Sequence, residues 1–194
     1  MSEATTHRLP ARRGATPKDA VTGLFLLMLI TAGLIAVYAY VGLPKRISRV
    51  ARGAATRCSS NMRAMGLGMG IYVDDWDRTL PLAENWCDAL AGYQVAPLHH
   101  DCPLGPATAD GASSDYSFNT RNAARPLADF RFAYQAPVIF ESTNSEWNSY
   151  DELTSFSLRH KLSAAGTFAG GQAVYADGHA EAKSQMNATD GQRP

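Results

Sequence analysis

Residues Ala20 to Leu43 form an uninterrupted run of 24 residues that carries no charge. As an α-helix this run would be about 36 Å long, which is enough to cross the hydrocarbon core of a bilayer. We therefore expect a transmembrane helix over residues 20–43, with the lipid bilayer as a partner of the chain.

The segment after this run predicts an amphipathic continuation of the same helix over residues 44–76. Apolar residues recur there at steps of three or four, the period of a helix with one buried face: Ile47, Ala51, Ala54, Cys58, Met62, Met65, Met69, Tyr72 and Trp76. Pro44 cannot donate a backbone hydrogen bond, so we expect it to kink the helix without ending it. Gly66, Gly68 and Gly70 each weaken a helix, and their presence favours close packing at that point.

Residues 1–19 predict a disordered basic tail. Such a tail could begin a signal peptide, but the apolar run is longer than the core of one and no small-residue cleavage site follows it, so we interpret the run as an uncleaved anchor. Four basic residues precede the run and five follow soon after it, which leaves the orientation in the membrane undecided by charge.

The remainder of the chain predicts one small head over residues 77–183, with a frayed end at 184–194. Its strands are expected at 115–119, 136–142 and 156–160, followed by a hairpin whose strands, 172–176 and 179–183, flank the dipeptide Asp177-Gly178. From Asp77 onward the chain has eight Lys and Arg against fourteen acids, so a nucleic-acid partner is not expected.

The three cysteines are too few for a disulfide framework. Cys87 and Cys102 could pair if the head faces an oxidising compartment or could stay reduced, and the sequence leaves both open. Cys58 lies on the apolar stripe, where we interpret it as a small buried hydrophobe.

Two groups of ligand-type residues are candidate metal sites. Adjacent histidines in the loop His99 to Cys102 point in different directions, and the three carboxylates between Asp74 and Asp77 fall short of the six oxygens that calcium needs. We expect no metal and no cofactor at either place.

Several spacings in the chain match one protein family. They are Pro44, Cys58 fourteen residues later, Asn61, Gly66-Leu67, Tyr72, Trp86, Cys102-Pro103, Tyr116 to Asn119, Arg159-His160, and the run from Tyr175 through Asp177, Gly178 and His179. Together they resemble the pilin-like proteins that combine a prepilin-type amino-terminal helix with a carboxy-terminal D-G-H hairpin and are related to type II secretion pseudopilins.

The resemblance implies an α+β fold in which a long helix, transmembrane in its first half, packs its second half on a small antiparallel sheet. It also implies a cytoplasmic tail, a single pass through the inner membrane and a head in the periplasm or outside the cell, where a Cys87 to Cys102 bridge could form. One position departs from the family: Leu27 stands where such precursors carry a glutamate that guides assembly, and Gly23 is displaced by one from the cleavage glycine.

Three functions remain open from the sequence. The first is a non-enzymatic structural subunit that packs with copies of itself or with other pilin-like subunits, and the second is an anchored domain that binds a protein or surface partner without assembling. The third, an enzyme, would need His160, Asp177 and His179 to meet in the final sheet. No sequence context marks a nucleophile, so we expect neither an enzyme nor a small-molecule substrate.

Overall fold

The computed structural model describes residues 17–105, 113–161 and 169–186. The chain divides after Ile47 into two units, which are described one at a time. The predicted tail therefore lies outside the described residues, except that Pro17 to Asp19 already belong to the first helix.

The described part of the first unit, from Pro17 onward, is helical. Helix α1 spans Pro17–Val37, and a five-residue π-helix at Tyr38–Gly42 leads into helix α2, Leu43–Asp75. The stretch Ala20–Arg46 is long and apolar enough to cross a membrane, a property that signal sequences share. Its apolar side chains are exposed all round, as in Leu27 and Leu34, so this surface suits lipid or other helices better than water.

The π-helix falls immediately before Pro44, where the sequence predicts a kink. Proline cannot donate the hydrogen bond that would close the preceding α-helical turn. The wider π turn at Tyr38–Gly42 is a known way for a helix to absorb such a defect and continue. The helix does continue, as predicted, and ends at Asp75, one residue before the expected end.

In the second unit α2 buries one stripe of side chains. Its buried members are Ala54, Cys58, Asn61, Met62, Met65, Met69, Tyr72 and Val73, which confirms the predicted stripe from Ala54 to Tyr72. Trp76 was predicted to continue the stripe, but it lies beyond the end of the helix and is 56% exposed. Asp77 and Arg78 then take positive φ angles and turn the chain away.

The head contains a short helix and a six-stranded sheet. Helix α3 spans Trp86–Ala91, and the strands are β1 Tyr116–Asn119, β2 Pro137–Glu141, β3 Tyr150–Asp151, β4 His160–Lys161, β5 Ala169–Tyr175 and β6 Ala180–Lys183. β5 is the hub of the sheet, because it pairs with β2, β4 and β6.

The prediction of a purely antiparallel sheet is wrong at one pair. β1 and β3 run parallel, with Phe118 opposite Tyr150 and Asn119 opposite Asp151. A parallel pair needs a long crossover between its strands, and here the chain between β1 and β3 contains β2 and the loop after it. The sheet is therefore mixed, and the fold is α+β.

Two predicted strands differ from the structure. The strand expected over 156–160 is reduced to His160 and one further residue in β4, while Phe156 forms only an isolated bridge with Ser142. In the hairpin the turn has three residues, since Tyr175 donates its N–H to the carbonyl of His179 and accepts one from Gly178. Only Gly178 takes a positive φ, of 86°, the pattern of a three-residue hairpin loop with glycine in the left-handed position.

The core of the head lies between α2, α3 and one face of the sheet. Its largest fully buried members include Met62, Met65 and Met69 of α2, Trp86 of α3, and Phe118 of β1. A smaller cluster around Phe140 and Tyr175 also includes Met186, in the segment expected to fray. Residues 187–194 of that segment lie outside the described residues.

Glycine allows α2 to approach the head closely. A Cβ on Gly66 would overlap the carbonyl oxygen of Gly178 in the hairpin turn, and one on Gly68 would overlap the side chain of Val95. Gly70 has nothing within 4 Å of the corresponding position. Of the three glycines expected to pack closely, Gly66 and Gly68 do so.

These environments predict opposite effects of alanine at two positions one helical turn apart. We expect Gly66→Ala to lower the free energy of unfolding by about 1–3 kcal/mol, because the obstructing atom is backbone and the hairpin must move. Gly70→Ala should raise it by up to about 1 kcal/mol, because alanine favours the helix. Urea unfolding of both variants measures this, and equal effects would contradict the proposed contact.

Candidate functional site

The strongest candidate site is a buried cluster of Cys58, Cys102, Glu141 and His160, here named the Cys–Glu–His cluster. Cys58 comes from α2, Cys102 from the loop after the 3-10 helix Pro97–His100, Glu141 from the end of β2, and His160 from β4. One potential ligand atom from each lies within 4.8 Å of the other three, and all four residues are buried.

Cys58 and Cys102 form a disulfide, with their Cα atoms 5.2 Å apart. The sequence left open whether Cys102 pairs with Cys87 or stays reduced, and in the structure it pairs instead with Cys58. Cys58, interpreted as a small buried hydrophobe, is buried but also bonded. The physical reason is the direction of the stripe, which points Cys58 into the head toward the loop at Cys102. Cys87 is a buried free thiol on α3.

Glu141 and His160 form a fully buried pair. Oε1 of Glu141 lies 2.6 Å from Nε2 of His160, and its Oε2 accepts a hydrogen bond from the backbone N–H of Gln172 in β5. Both side chains are 0% exposed. Nε2 of His160 also lies 3.7 Å from Sγ of Cys102, so this nitrogen faces the disulfide, while Nδ1 has no hydrogen-bond partner among the described residues.

An ion pair between Arg159 and Asp115 borders the cluster. Arg159 donates to Asp115 over 3.0 Å and to the carbonyl of Ser142, and Asp115 in turn accepts from the backbone N–H of Cys102 at 2.8 Å. Asp115 therefore holds the Cys102 loop, and Arg159 holds Asp115 to the strand end at Ser142. These bonds position Cys102 without being part of the ligand cluster.

Buried polar pairs of this kind add little net stability. Removing polar or charged groups from water often outweighs their mutual attraction, and apolar residues of similar volume are frequently as stable or more so. The unpartnered Nδ1 of His160 adds a further penalty of about 1–3 kcal/mol. The contact between Glu141 and His160 is therefore not explained by a large net contribution to stability.

Cys87 and His100 form a separate buried pair, with Sγ of Cys87 3.6 Å from Nδ1 of His100. Burial raises the pKa of Cys87 to about 12 and lowers the pKa of His100 to about 4. Both groups are thus neutral near pH 7, whereas a nucleophilic cysteine requires a thiolate. His100 instead lies against the rings of Trp86 and Trp147 as part of the core.

The family-motif residues on α2 have structural roles in the head. The side-chain amide of Asn61 donates to the carbonyl of Asp101 at 2.8 Å, next to the disulfide. Tyr72 stacks on Trp76 and meets the ring of Tyr93 edge-on. Both residues attach the helix to loops of the head.

The D-G-H motif lies at the hairpin turn. Asp177 pairs with His179 at 2.6 Å, both side chains are more than one third exposed, and the His179 ring stacks on Tyr175. Gly178 supplies the positive φ of the turn and the contact with Gly66. His160 pairs with Glu141 elsewhere, so the structure does not bring His160, Asp177 and His179 together.

Of the two ligand groups considered from the sequence, His99 to Cys102 and Asp74 to Asp77, Cys102 joins the Cys–Glu–His cluster, and the other described members do not converge. His99 accepts a hydrogen bond from the N–H of Ala96, while His100 is buried in the core. Asp74 forms an exposed pair with Arg78 at the end of α2. Within the Cys–Glu–His cluster, Glu141 is the residue that sequence reasoning missed. The signal that could have found it is a carboxylate at the end of the apolar strand 137–141.

Comparison of the chain with protein-family models, with curated proteins and with solved structures found no match in any of the three. The function is therefore argued from the fold and the site alone.

The states of the three cysteines predict which of them are linked and which reacts with an alkylating reagent. Peptide mapping without reduction should yield Cys58 linked to Cys102, and Cys87 should resist alkylation in the native protein because it is buried with a raised pKa. After unfolding, one thiol per chain should become alkylated. A Cys87 found in a disulfide would contradict the structure.

The environment of His100 predicts a loss of stability in acid. Its pKa falls from 6.5 in the unfolded chain to about 4 in the fold, so the unfolded state binds the proton first as the pH drops below 6.5. We expect the free energy of unfolding at pH 5 to be about 2 kcal/mol below that at pH 7.5 from this group.

Urea unfolding at the two pH values measures this difference. The variant His100→Gln should reduce it, since glutamine does not titrate. His99→Gln should reduce it by less, because the charge of His99 is a cause of the lowered pKa of His100 that comes second to burial. An unchanged difference in the His100 variant would show that another group is responsible.

Proposed function

We propose that this chain is a non-enzymatic, membrane-anchored structural subunit of a pilin-like or type II secretion pseudopilin-like assembly. The observation that carries the proposal is a helical run without a break from Pro17 to Asp75 that changes character along its length. Its first part is apolar on every side, and its later part buries a single stripe in an α+β head.

The apolar first part needs a partner other than water. Leu24, Phe25, Leu34 and Ile35 are each at least 60% exposed. A bilayer covers such a surface, and neighbouring helices of the same kind pack against it within one. In this proposal the partners are the bilayer and other pilin-like subunits, including copies of this chain.

The disulfide supports a head outside the cytoplasm. Cys58–Cys102 links α2 to the head, and disulfides of this structural kind persist in oxidising compartments. The proposed topology is a single pass through the inner membrane with a cytoplasmic amino terminus and a periplasmic or extracellular head.

Among the described residues, the environments of Cys87 and of the Asp177–His179 pair favour a structural role over a catalytic one. The free thiol of Cys87 is held protonated by burial, and the exposed Asp177–His179 pair serves a turn. Residues of the resembled family's motifs, Asn61, Tyr72 and Gly178, all join the helix to the head. This is the arrangement expected of a rigid subunit.

A second candidate is an anchored domain of the same fold that binds a partner and does not assemble. The observation in its favour is Leu27, an exposed apolar residue at the place where the resembled family has its assembly glutamate. The head would then be the functional part, and the helix only its attachment.

The intact mass and amino terminus of the chain from native membranes separate these two candidates. Assembly predicts a cut near Gly23, and Leu34→Cys in a Cys87→Ala background, which has one free thiol per chain, should then form disulfide-linked dimers in membranes. A cysteine at exposed Leu82 in the head is the control and should form fewer of them. An intact Met1 with no cross-linked dimers would reject assembly and leave the anchored domain.

A further inference from the structure

The Cys–Glu–His cluster has a donor set that differs from ordinary structural disulfides. Two sulfurs, an imidazole nitrogen and a carboxylate oxygen lie within 4.8 Å of one another, and all four side chains are buried. Among the described residues this is the group of ligand-type side chains that converges. Thiolate, imidazole and carboxylate are the three ligand types that Zn²⁺ accepts, in a tetrahedral set of four.

We propose that, when the Cys58–Cys102 disulfide is reduced, Cys58, Cys102, Glu141 and His160 bind one Zn²⁺ ion. The oxidised chain holds the same four residues with a disulfide in place of the ion. The site thus has two alternative states, a disulfide or a bound Zn²⁺ ion, and the redox state of Cys58 and Cys102 selects between them.

The distances fit such a site after a small local movement. Neighbouring ligands on tetrahedral zinc lie about 3.3–3.8 Å apart, and Sγ of Cys102 is already 3.7 Å from Nε2 of His160. The two sulfurs must separate to about 3.8 Å, which breaking their bond permits. Glu141 must withdraw from its 2.6 Å contact with His160 as the ion enters between them.

The surroundings hold several ligands in place. The N–H of Gln172 fixes one oxygen of Glu141, and Asp115 fixes the backbone of Cys102. Asn61 ties the neighbouring Asp101 to α2, one turn from Cys58. Such outer contacts orient ligands and raise metal affinity.

The chemistry of the ligands selects the metal class. Thiolates favour Zn²⁺ over Mg²⁺ and Ca²⁺, which prefer six or more oxygens. A buried carboxylate and imidazole would share the charge of the ion, which gives Glu141 and His160 a role that stability alone does not supply.

The exchange between the two states balances as follows. A dithiol reductant transfers two electrons and two protons to the disulfide, giving two thiols and the oxidised, cyclic form of the reductant. Zn²⁺ then replaces the two thiol protons, which pass to solvent. Reoxidation reverses the sequence and releases the ion.

The test uses the full chain in detergent micelles. The protein is unfolded in urea, refolded without oxygen in the presence of a phosphine reductant and Zn²⁺, and freed of excess metal. We expect one zinc per folded chain, and less than one tenth of that in protein refolded oxidised. Co²⁺ in place of Zn²⁺ should give the visible and near-ultraviolet bands of a tetrahedral site with two thiolates.

Variants assign the ligands. Competition with a chelator should show Zn²⁺ affinity lowered at least tenfold in Glu141→Gln and in His160→Gln. Cys87→Ala is the matched control, because it removes the third thiol outside the cluster and should leave stoichiometry and affinity unchanged. Near-ultraviolet circular dichroism reports whether each reduced variant folds.

Three results would overturn the proposal. They are a folded reduced chain without stoichiometric zinc, zinc lost in Cys87→Ala, and an unchanged affinity in both the Glu141 and His160 variants. If a variant does not fold, the cobalt spectrum of the unmodified chain still decides, since fewer than two thiolate ligands rejects the site. None of these results bears on membrane assembly, so the two proposals fail separately.

Discussion

The disulfide between Cys58 and Cys102 joins helix α2 to the loop that follows the 3-10 helix Pro97–His100. It links the stripe of α2 to a loop that also accepts a hydrogen bond from Asn61 and donates one to Asp115, and Asp115 is held in turn by Arg159. It closes a loop of 44 residues, and for that length the chain-entropy treatment gives a stabilisation of about 4 kcal/mol. That is a large part of the total stability of an ordinary domain. The position of α2 on the sheet depends on this connection.

Polar contacts surround this bond on the sheet side. Glu141 and His160 face it from β2 and β4, and Gln172 of β5 holds Glu141 from a third strand. A mutation of Glu141 or of His160 leaves the other buried without its hydrogen-bond partner, whereas the bond from Gln172 comes from its backbone N–H. The strands and the helix are thereby coupled through polar groups as well as through the apolar core.

Much of the architecture follows from local patterns in the sequence. The apolar run, the stripe of α2, the strands at Tyr116 and Val138, and the terminal hairpin all have periodicities that one segment displays by itself. The parallel pairing of β1 with β3 does not, because it depends on how distant segments meet. The extent of the turn before His179 was missed for a smaller reason: Asp177 needs no positive φ when Gly178 provides it.

The site was harder to predict than the fold. Cys58 was interpreted from its place on the apolar stripe, and the same place is what directs its sulfur toward Cys102. Cys87 is closer to Cys102 in sequence, yet α3 directs it toward His100. A pairing between residues 44 apart in the chain, and a carboxylate that becomes a neighbour of His160 only through the sheet, are properties of the tertiary structure. The contact between Gly66 and Gly178 has a consequence for biosynthesis: α2 leaves the ribosome long before the hairpin that covers it. Until then Met62, Met65 and Met69 are without many of the side chains that bury them in the folded head. The exposed apolar face of α2 then needs a temporary binding partner, such as a chaperone.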